Sequence, residues 1–222
     1  MNPSEILQEV ARQVSICEKC ELHFSRKKAV PGEGPEDSEI MFIGEGPGFY
    51  ENEQGRPFVG QAGKLLEELL AAIGYKRQQV FITNVVKCRP PGNRDPLPEE
   101  LAACSDYLER QIEALNPRVI VTLGRYSMAR FLPYAKISDV HGQAAWVKGR
   151  LVVPMYHPAA ALHQPSLKPA LEKDFTRLPE YIQQARSAQN AAPQPDAAEK
   201  KAEEPEKPPE KPKDEPTQLS LF

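Results

Sequence analysis

Four short apolar runs interrupt the mixed pattern of polar and apolar residues along the chain. Each consists mostly of Val, Ile, Leu, Met or Phe and is bounded by polar or turn-forming residues; the runs are 40–43, 80–83, 119–123 and 150–154. Runs of this length without polar alternation are typical of strands that are buried on both faces. The pattern therefore predicts four strands in the centre of the fold.

Around these runs the apolar residues recur three and four positions apart, which is the spacing of an amphipathic helix. This spacing predicts helices at 4–15, 60–73, 98–115, 125–132 and 168–185. Ser4 is placed to cap the first of them. Strands that alternate with helices predict an α/β fold, here a three-layer α/β/α sandwich with a mostly parallel four-stranded sheet.

A hairpin-like pair precedes the last predicted strand. Residues 144–147 and 150–154 flank Lys148-Gly149, two residues that suit a tight turn. We expect these two segments to run antiparallel to each other.

The composition of the chain changes at residue 187. The stretch 187–217 has no aromatic residue and no Ile, Leu, Val or Met, and it is rich in Pro, Lys, Glu and Ala. Such a segment cannot bury enough apolar surface to fold, so we expect a disordered linker after a folded body at 1–186. The whole chain has a net charge of −3. Any nucleic acid site on this protein must therefore be a local basic patch.

The first apolar run leads into a turn that is dense in glycine and proline, Gly44-Glu45-Gly46-Pro47-Gly48. Open α/β sheets bind ligands at the carboxyl ends of their strands, where this turn belongs. The turn and the segment after it offer the carboxylates of Glu45 and Glu51 and the aromatic ring of Phe58. They lack the lysine and the spacing of a P-loop. The sequence thus predicts a ligand site here that is not built for nucleotide phosphates.

Four cysteines form a pattern of their own. They lie at Cys17, Cys20, Cys88 and Cys104, so that a C-x2-C pair precedes two widely spaced residues. No apolar run is long enough to span a membrane, and the amino terminus does not begin a signal peptide, so we expect a cytoplasmic protein with reduced thiols. Four thiolates are the ligand set of zinc or of an iron–sulfur cluster, and spacing alone does not separate the two.

Two further motifs follow predicted strands. Thr83-Asn84 ends the second strand, and His157-Pro158-Ala159-Ala160 follows the last one. Together with the glycine-rich turn, the segment at 55–60 and the cysteine pattern, these motifs closely resemble the family 4 uracil-DNA glycosylases, the iron–sulfur branch of the uracil-DNA glycosylase superfamily. The resemblance extends over nearly the whole predicted body.

The resemblance implies a uracil-DNA glycosylase fold and a structural [4Fe–4S] cluster held by the four cysteines. It also implies a monofunctional DNA N-glycosylase that removes uracil from single- or double-stranded DNA, initiates base excision repair and acts as a monomer. The alternative is a non-catalytic iron–sulfur module of the same fold that binds DNA or accompanies a polymerase. The presence of Glu45, Asn84 and His157 together argues against that alternative, since a binding module does not need all three.

The chemistry of these side chains suits removal of a flipped base. The predicted residues are Glu45, Glu51 and His157 for catalysis and Gly46, Phe58 and Asn84 for binding uracil. Phe58 offers a face on which uracil can stack, and Asn84 presents a donor and an acceptor to O4 and N3–H of uracil. His157 can hydrogen-bond O2, where negative charge develops as the bond breaks. Glu45 and Glu51 are the carboxylates available to orient water.

Contacts to DNA are expected from a small set of residues near the cysteine loop and the predicted site. We assign phosphate contacts to the basic members and a wedge into the vacated base position to the apolar one; the set is Arg56, Lys87, Arg89, Arg94 and Leu162.

The carboxyl terminus carries a separate motif. Gln218-Leu219-Ser220-Leu221-Phe222 strongly resembles the pentapeptide by which bacterial proteins bind the β sliding clamp. The resemblance implies that Leu219, Leu221 and Phe222 enter an apolar pocket and that Gln218 fixes the register. We therefore expect a bacterial, nucleoid-associated protein that is tethered to the clamp by its tail.

Overall fold

The structure is a computed structural model, and it describes residues 2–191. The predicted clamp-binding motif at 218–222 and most of the predicted linker at 187–217 lie outside the described residues. A single mixed sheet forms the centre of the described part, with strand order β2-β1-β3-β5-β4. Its strands are β1 (Ile40–Gly44), β2 (Phe81–Asn84), β3 (Val119–Leu123), β4 (Ala145–Val147) and β5 (Arg150–Met155).

The parallel strands β1, β2, β3 and β5 end at the same edge of the sheet. Their register pairs Gly44 of β1 with Asn84 of β2, and Leu123 of β3 with Met155 of β5. The residues that follow β1, β2 and β5 along the chain are therefore brought to one side of the molecule. This alignment is what places the predicted motifs near one another.

The sheet has five strands, so the prediction of four was wrong by one. The additional strand β4 pairs antiparallel with β5, which confirms the predicted hairpin-like pair, and Trp146 faces Leu151 across it. The turn between them has positive φ at both residues, 48° at Lys148 and 77° at Gly149, which matches the twist of a two-residue hairpin. β4 is only partly buried because it lies at the sheet edge, and a short half-buried run gives a weak sequence signal.

Ten α-helices surround the sheet within the described residues. They are α1 (Pro3–Ser15), α2 (Leu22–Ser25), α3 (Phe49–Gln54), α4 (Gln61–Ala72), α5 (Pro98–Leu115), α6 (Arg125–Ala129), α7 (Ile137–Val140), α8 (Pro158–His163), α9 (Lys168–Thr176) and α10 (Leu178–Ala191). None of them has both the length and the apolar content that a bilayer-spanning helix needs.

The helices cover both faces of the sheet, which confirms the predicted three-layer arrangement. On one face, Phe42 and Val121 pack with the leucines of α4 and with Phe175 of α9. On the other face, Ile43 and Ile120 pack against the apolar side of α5. Because both faces are buried, the strands contain no polar alternation.

Three details of the helices differ from the predictions. Asn2 rather than Ser4 caps α1, because its side chain accepts from the N–H of Glu5 at 2.9 Å while the Glu5 carboxylate accepts from the N–H of Asn2. The predicted closing helix is divided into α9 and α10. Pro179 has no N–H and cannot donate to the carbonyl four residues earlier, so the helix breaks before it. α10 then continues past residue 186, the predicted end of the body.

Candidate active site

A cavity of about 370 Å³ opens at the carboxyl edge of the parallel strands. All six residues predicted for catalysis or base binding line it, although they come from five places along the chain: Glu45, Gly46, Glu51, Phe58, Asn84 and His157. The structure thus brings together every member of this set around one space that can hold a small ring.

Asn84 presents an unsatisfied amide to this cavity. Its side chain is 1 % exposed, and its Oδ1 is buried with no hydrogen-bond partner among the described residues. A buried polar atom without a partner costs free energy, so such atoms are rare in folded proteins and often mark binding sites. The oxygen is therefore available to a ligand that carries a donor.

Gly44 makes room for that amide. A Cβ at this position would overlap Asn84 Oδ1 and would lie 2.8 Å from two ring carbons of Phe58. The absence of a side chain thus lets the end of β2 and the ring of Phe58 approach the end of β1 together.

Phe58 and His157 form the stacked part of the site. Their ring centroids are 5.4 Å apart and their planes are inclined by 24°. Phe58 has a φ of 50°, an unfavourable value for a bulky residue. Its carbonyl accepts from Arg77 Nη1 at 2.8 Å, and Arg77 Nη2 donates to the carbonyl of Pro57. Gly63 of α4 also permits the close approach, since a Cβ there would overlap the Phe58 carbonyl.

The tautomer of His157 follows from its backbone contact. Its Nδ1 accepts from the N–H of Ala159 at 3.0 Å, so the proton of the neutral ring lies on Nε2. Burial lowers the pKa of His157 to about 4. At neutral pH the side chain is therefore an uncharged donor held at the N-cap of α8, with Pro158 in the first turn.

The two carboxylates differ in how they are held. Glu51 is buried in α3, and its Oε1 accepts from the N–H groups of Val59 and Gly60 at 2.9 and 3.0 Å. Glu51 thereby fixes the backbone of the segment that follows Phe58. Glu45 accepts from one backbone donor, the N–H of Tyr126 at 3.1 Å, and burial raises the pKa of Glu45. Glu45 thus makes fewer hydrogen bonds than Glu51, and its pKa lies above the usual value of a glutamate.

The prediction that Lys87 contacts DNA was wrong. The side chain is 1 % exposed and turns into the protein, where its ammonium donates to three oxygens. These are Thr83 Oγ1 at 2.6 Å, the carbonyl of Asn84 at 2.8 Å and Gln111 Oε1 at 2.7 Å. Burial lowers the pKa of Lys87 to about 7. In its protonated form the amine has three donors for these three acceptors, so it is satisfied without a carboxylate. Lys87 holds the end of β2, and a phosphate cannot reach it.

The other predicted DNA contacts remain near the surface. Arg56 pairs with Glu33 at 2.6 Å, and Arg94, which lines the cavity, pairs with Glu100 at 2.6 Å. Arg89 has no carboxylate partner among the described residues. Leu162 is 45 % exposed on α8, between the cavity-lining residues Ala160 and His163.

The four cysteines lie in adjoining parts of the core on the side of α5. Cys88 and Cys104 are buried in one cluster with Leu22 and Val86, and Cys20 packs against it. Cys17 packs against the neighbouring cluster of Val10, Val14 and Tyr107. Across residues 2–191, no three His, Cys, Asp or Glu side chains are arranged to hold a single metal ion.

Burial disfavours the deprotonated thiolate form of these cysteines when no metal is bound. It raises the pKa of the Cys20 and Cys88 thiols and raises that of Cys104 to about 11. Thiols in such surroundings become stable thiolates only next to positive charge or metal. Arg26 supplies one such charge, since its Nη1 lies 3.6 Å from Cys88 Sγ. The four cysteines are therefore suited to a metal ion or cluster that binds thiolates.

The sequence did not reveal the residues that support the site without lining the cavity. Arg77 precedes β2 and fixes the backbone at Phe58, which lies far away along the chain. Gln111 of α5 accepts from Lys87 and donates to the carbonyl of Pro31 at 2.7 Å. Neither residue belongs to a motif, and no local pattern in the sequence marks it.

Comparison with known proteins agrees with this geometry. The family model described as the uracil DNA glycosylase superfamily matches residues 31–183. A type-4 uracil-DNA glycosylase of Archaeoglobus fulgidus is 49 % identical over 186 residues, which cover 79 % of this chain and 93 % of that protein.

Two further type-4 uracil-DNA glycosylases are similarly related. The protein of Sulfurisphaera tokodaii is 50 % identical over 184 residues, 78 % of this chain and 84 % of its own length. The protein of Thermotoga maritima is 45 % identical over 183 residues, 80 % of this chain and 95 % of its own length. The resemblance found in the motifs is confirmed, and the chain belongs to the uracil-DNA glycosylase superfamily, within its type-4 family.

Proposed function

We propose that this protein is a uracil-DNA glycosylase that flips uracil out of DNA and hydrolyses its N-glycosidic bond. The observation that carries the proposal is the buried amide of Asn84, whose unpartnered oxygen shares a cavity with the stacked rings of Phe58 and His157. A base inside a duplex cannot reach such a cavity, so the nucleotide must leave the stack. The membership in the type-4 family supports the same reaction.

Recognition of uracil follows from the donors and acceptors at the cavity wall. Oδ1 of Asn84 accepts from N3–H of uracil, and its NH₂ group donates to O4. Cytosine carries an amino donor in place of O4 and has no N3–H, so both contacts fail. Phe58 supplies the stacking face. Gly46 lines the cavity without a side chain that would occupy the space of the base.

Bond breaking moves the electron pair of the C1′–N1 bond onto uracil and leaves positive character on the sugar. The negative charge spreads to O2, where the Nε2–H of neutral His157 donates a hydrogen bond. Water attacks C1′, and a carboxylate orients it and accepts its proton. We assign this role to Glu45, because Glu51 is already committed to two backbone donors. Glu51 then shapes the cavity wall beside the base.

We further infer that the protein acts as a monomer on DNA, since one chain supplies every residue of the cavity wall. Arg56, Arg89 and Arg94 are assigned to phosphates and Leu162 to the gap left by the flipped base. Arg56 and Arg94 must exchange their glutamate partners for phosphate, so Arg89 is the most available of the three.

We also propose a [4Fe–4S] cluster bound by Cys17, Cys20, Cys88 and Cys104. All four cysteines are free and lie in adjoining clusters of the core, and four thiolates are the ligand set of an iron–sulfur cluster. The resemblance to the iron–sulfur branch of the superfamily favours this cluster over zinc. Its role there is structural, because it joins α1, the loop after β2 and α5.

The tail adds a second proposed function. We infer that residues 218–222 bind the β sliding clamp of a bacterial cytoplasm and that residues 192–217, which follow α10, act as a tether. A flexible chain of this length spans roughly 30 Å. Tethering raises the local concentration of the enzyme on newly copied DNA without a new contact at the active site.

The excision reaction is tested with oligonucleotides that carry one uracil, followed by alkali to cleave abasic sites. The wild-type protein is expected to release uracil, and His157→Ala to lower the single-turnover rate by about 10²-fold or more, since it removes the donor to O2. Asn84→Asp removes the donor to O4 and is expected to narrow the discrimination between uracil and cytosine. No release of uracil by the folded wild-type protein, checked by circular dichroism, would end the proposal.

The neutral state of His157 predicts a pH dependence of stability. Its folded pKa of about 4 lies below the unfolded value of about 6.5. Between these values the unfolded chain binds more protons, so this residue makes stability fall as pH falls from about 6.5 to about 4. Thermal unfolding measured across this range is expected to show a shallower decline for His157→Gln. An equal decline in both proteins would show that His157 titrates normally.

The cluster is tested by anaerobic purification followed by iron and sulfide analysis. About four irons per chain and visible absorbance are expected for the wild-type protein. Cys104→Ser should lose both and unfold at a lower temperature, whereas Ser105→Ala beside it should keep them. Stoichiometric zinc in a colourless protein would refute the assignment.

The tail is tested by deleting residues 218–222. The truncated protein is expected to keep its excision rate on short oligonucleotides and to lose binding to purified bacterial β clamp, measured by surface plasmon resonance. Scrambling the order of the five residues provides a control of equal length and composition. Clamp binding that survives the deletion would contradict the tether.

A further inference from the structure

Two exposed aromatic side chains lie next to the cavity-lining residues of α3 and the turn before it. Phe49 and Tyr50 are 51 % and 57 % exposed, and their ring centroids lie 5.4 Å apart in an edge-to-face arrangement. They follow Gly48 and precede Glu51, two residues that line the cavity. We call Phe49 and Tyr50 the rim pair. Large exposed aromatics beside a binding cavity point to a surface that a ligand covers.

Arg89 lies over the ring of Phe49, one member of the rim pair. Its guanidinium carbon is 5.3 Å from the centroid of the Phe49 ring. Its Nε donates to Asn93 Oδ1 at 2.8 Å, and Asn93 lines the cavity. The stacked Phe49 and Arg89 therefore connect two segments of the cavity wall.

The charge of Arg89 is not neutralised within the described part of the chain. Arg56, Arg94 and Arg125 each pair with a carboxylate, whereas Arg89 contacts only an amide oxygen and an aromatic face. A guanidinium held in this way keeps donors free for a phosphate. Next to it, Phe49 presents an apolar ring to solvent.

An arginine that can bind phosphate beside an exposed aromatic ring is the combination that proteins use to hold single-stranded nucleic acid. We propose that Phe49 stacks on a base next to the flipped uracil while Arg89 binds the phosphate between the two nucleotides. This inference rests on the proposed glycosylase function and adds a subsite to it. In a duplex, the neighbouring base is already stacked and paired, so the subsite favours single-stranded DNA.

Phe49→Ala tests the subsite on a uracil-containing single strand, with KM and kcat measured separately. The expected result is a KM raised at least about fivefold with kcat little changed, because stacking acts on binding rather than on bond breaking. The increase should be smaller on U·A duplex, and Phe49→Trp should retain the wild-type KM. Tyr134→Ala, which removes a fully exposed aromatic elsewhere, is the matched control and should leave both constants unchanged.

A second substrate separates stacking from a general loss of structure. When abasic residues flank the uracil, there is no base to stack on, so wild type and Phe49→Ala should have the same KM. A 2-aminopurine beside an uncleavable 2′-fluoro-deoxyuridine should be quenched by the wild-type protein and by Phe49→Trp but not by Phe49→Ala.

The outcomes distinguish the two proposals. An active wild-type protein with an unchanged KM for Phe49→Ala, or with the same loss on the abasic-flanked substrate, would overturn the subsite alone. A wild-type protein that releases no uracil from any of these substrates would overturn the glycosylase function itself.

Discussion

The site depends on one position that has no side chain. Gly44 ends β1 in register with Asn84 of β2, and any Cβ there would overlap the Asn84 amide and crowd the Phe58 ring. Parallel pairing brings the strand ends together, and the empty position lets the amide and the ring share the space beyond them. The rest of the fold holds the Asn84 amide, the Phe58 ring and His157 in fixed positions relative to one another.

Three side chains with ionisable groups hold the backbone around the cavity through hydrogen bonds. Lys87 connects the end of β2 to α5. Arg77 donates to the carbonyls of Pro57 and Phe58, and Glu51 accepts from the N–H groups of the two residues after Phe58. Each is partly or fully removed from water, and the partners are hydroxyl, amide and backbone oxygens for Lys87, backbone carbonyls and the carboxylates of Glu33 and Glu67 for Arg77, and backbone N–H groups for Glu51. The desolvation of these charges is offset by several hydrogen bonds, which fix the main chain more firmly than apolar packing does.

The sequence was sufficient for the layers of the fold and for the six residues of the cavity wall, because buried strands and the turns after them leave strong local patterns. The predictions from the sequence were wrong where residues far away along the chain determine the surroundings of a side chain. Lys87 follows Asn84 in a loop rich in Pro and basic residues, which suggested the surface, yet Thr83 and Gln111 draw it inward. The break of the last helix at Pro179 was missed, and the segment of β4, although expected to pair antiparallel with 150–154, was not counted as a strand of the sheet because it is short and half-buried.

The inward turn of Lys87 also limits how this part of the chain can change. Asn84 and Cys88 are separated by three residues, and the last of these, Lys87, is fixed to α5 through Gln111. An inserted residue would pull the lysine from its three acceptors or shift the cysteine relative to Cys104. The number of residues between these two positions is therefore fixed by the contacts on either side of them, whereas the turn at Pro91–Asn93 lies beyond this constraint.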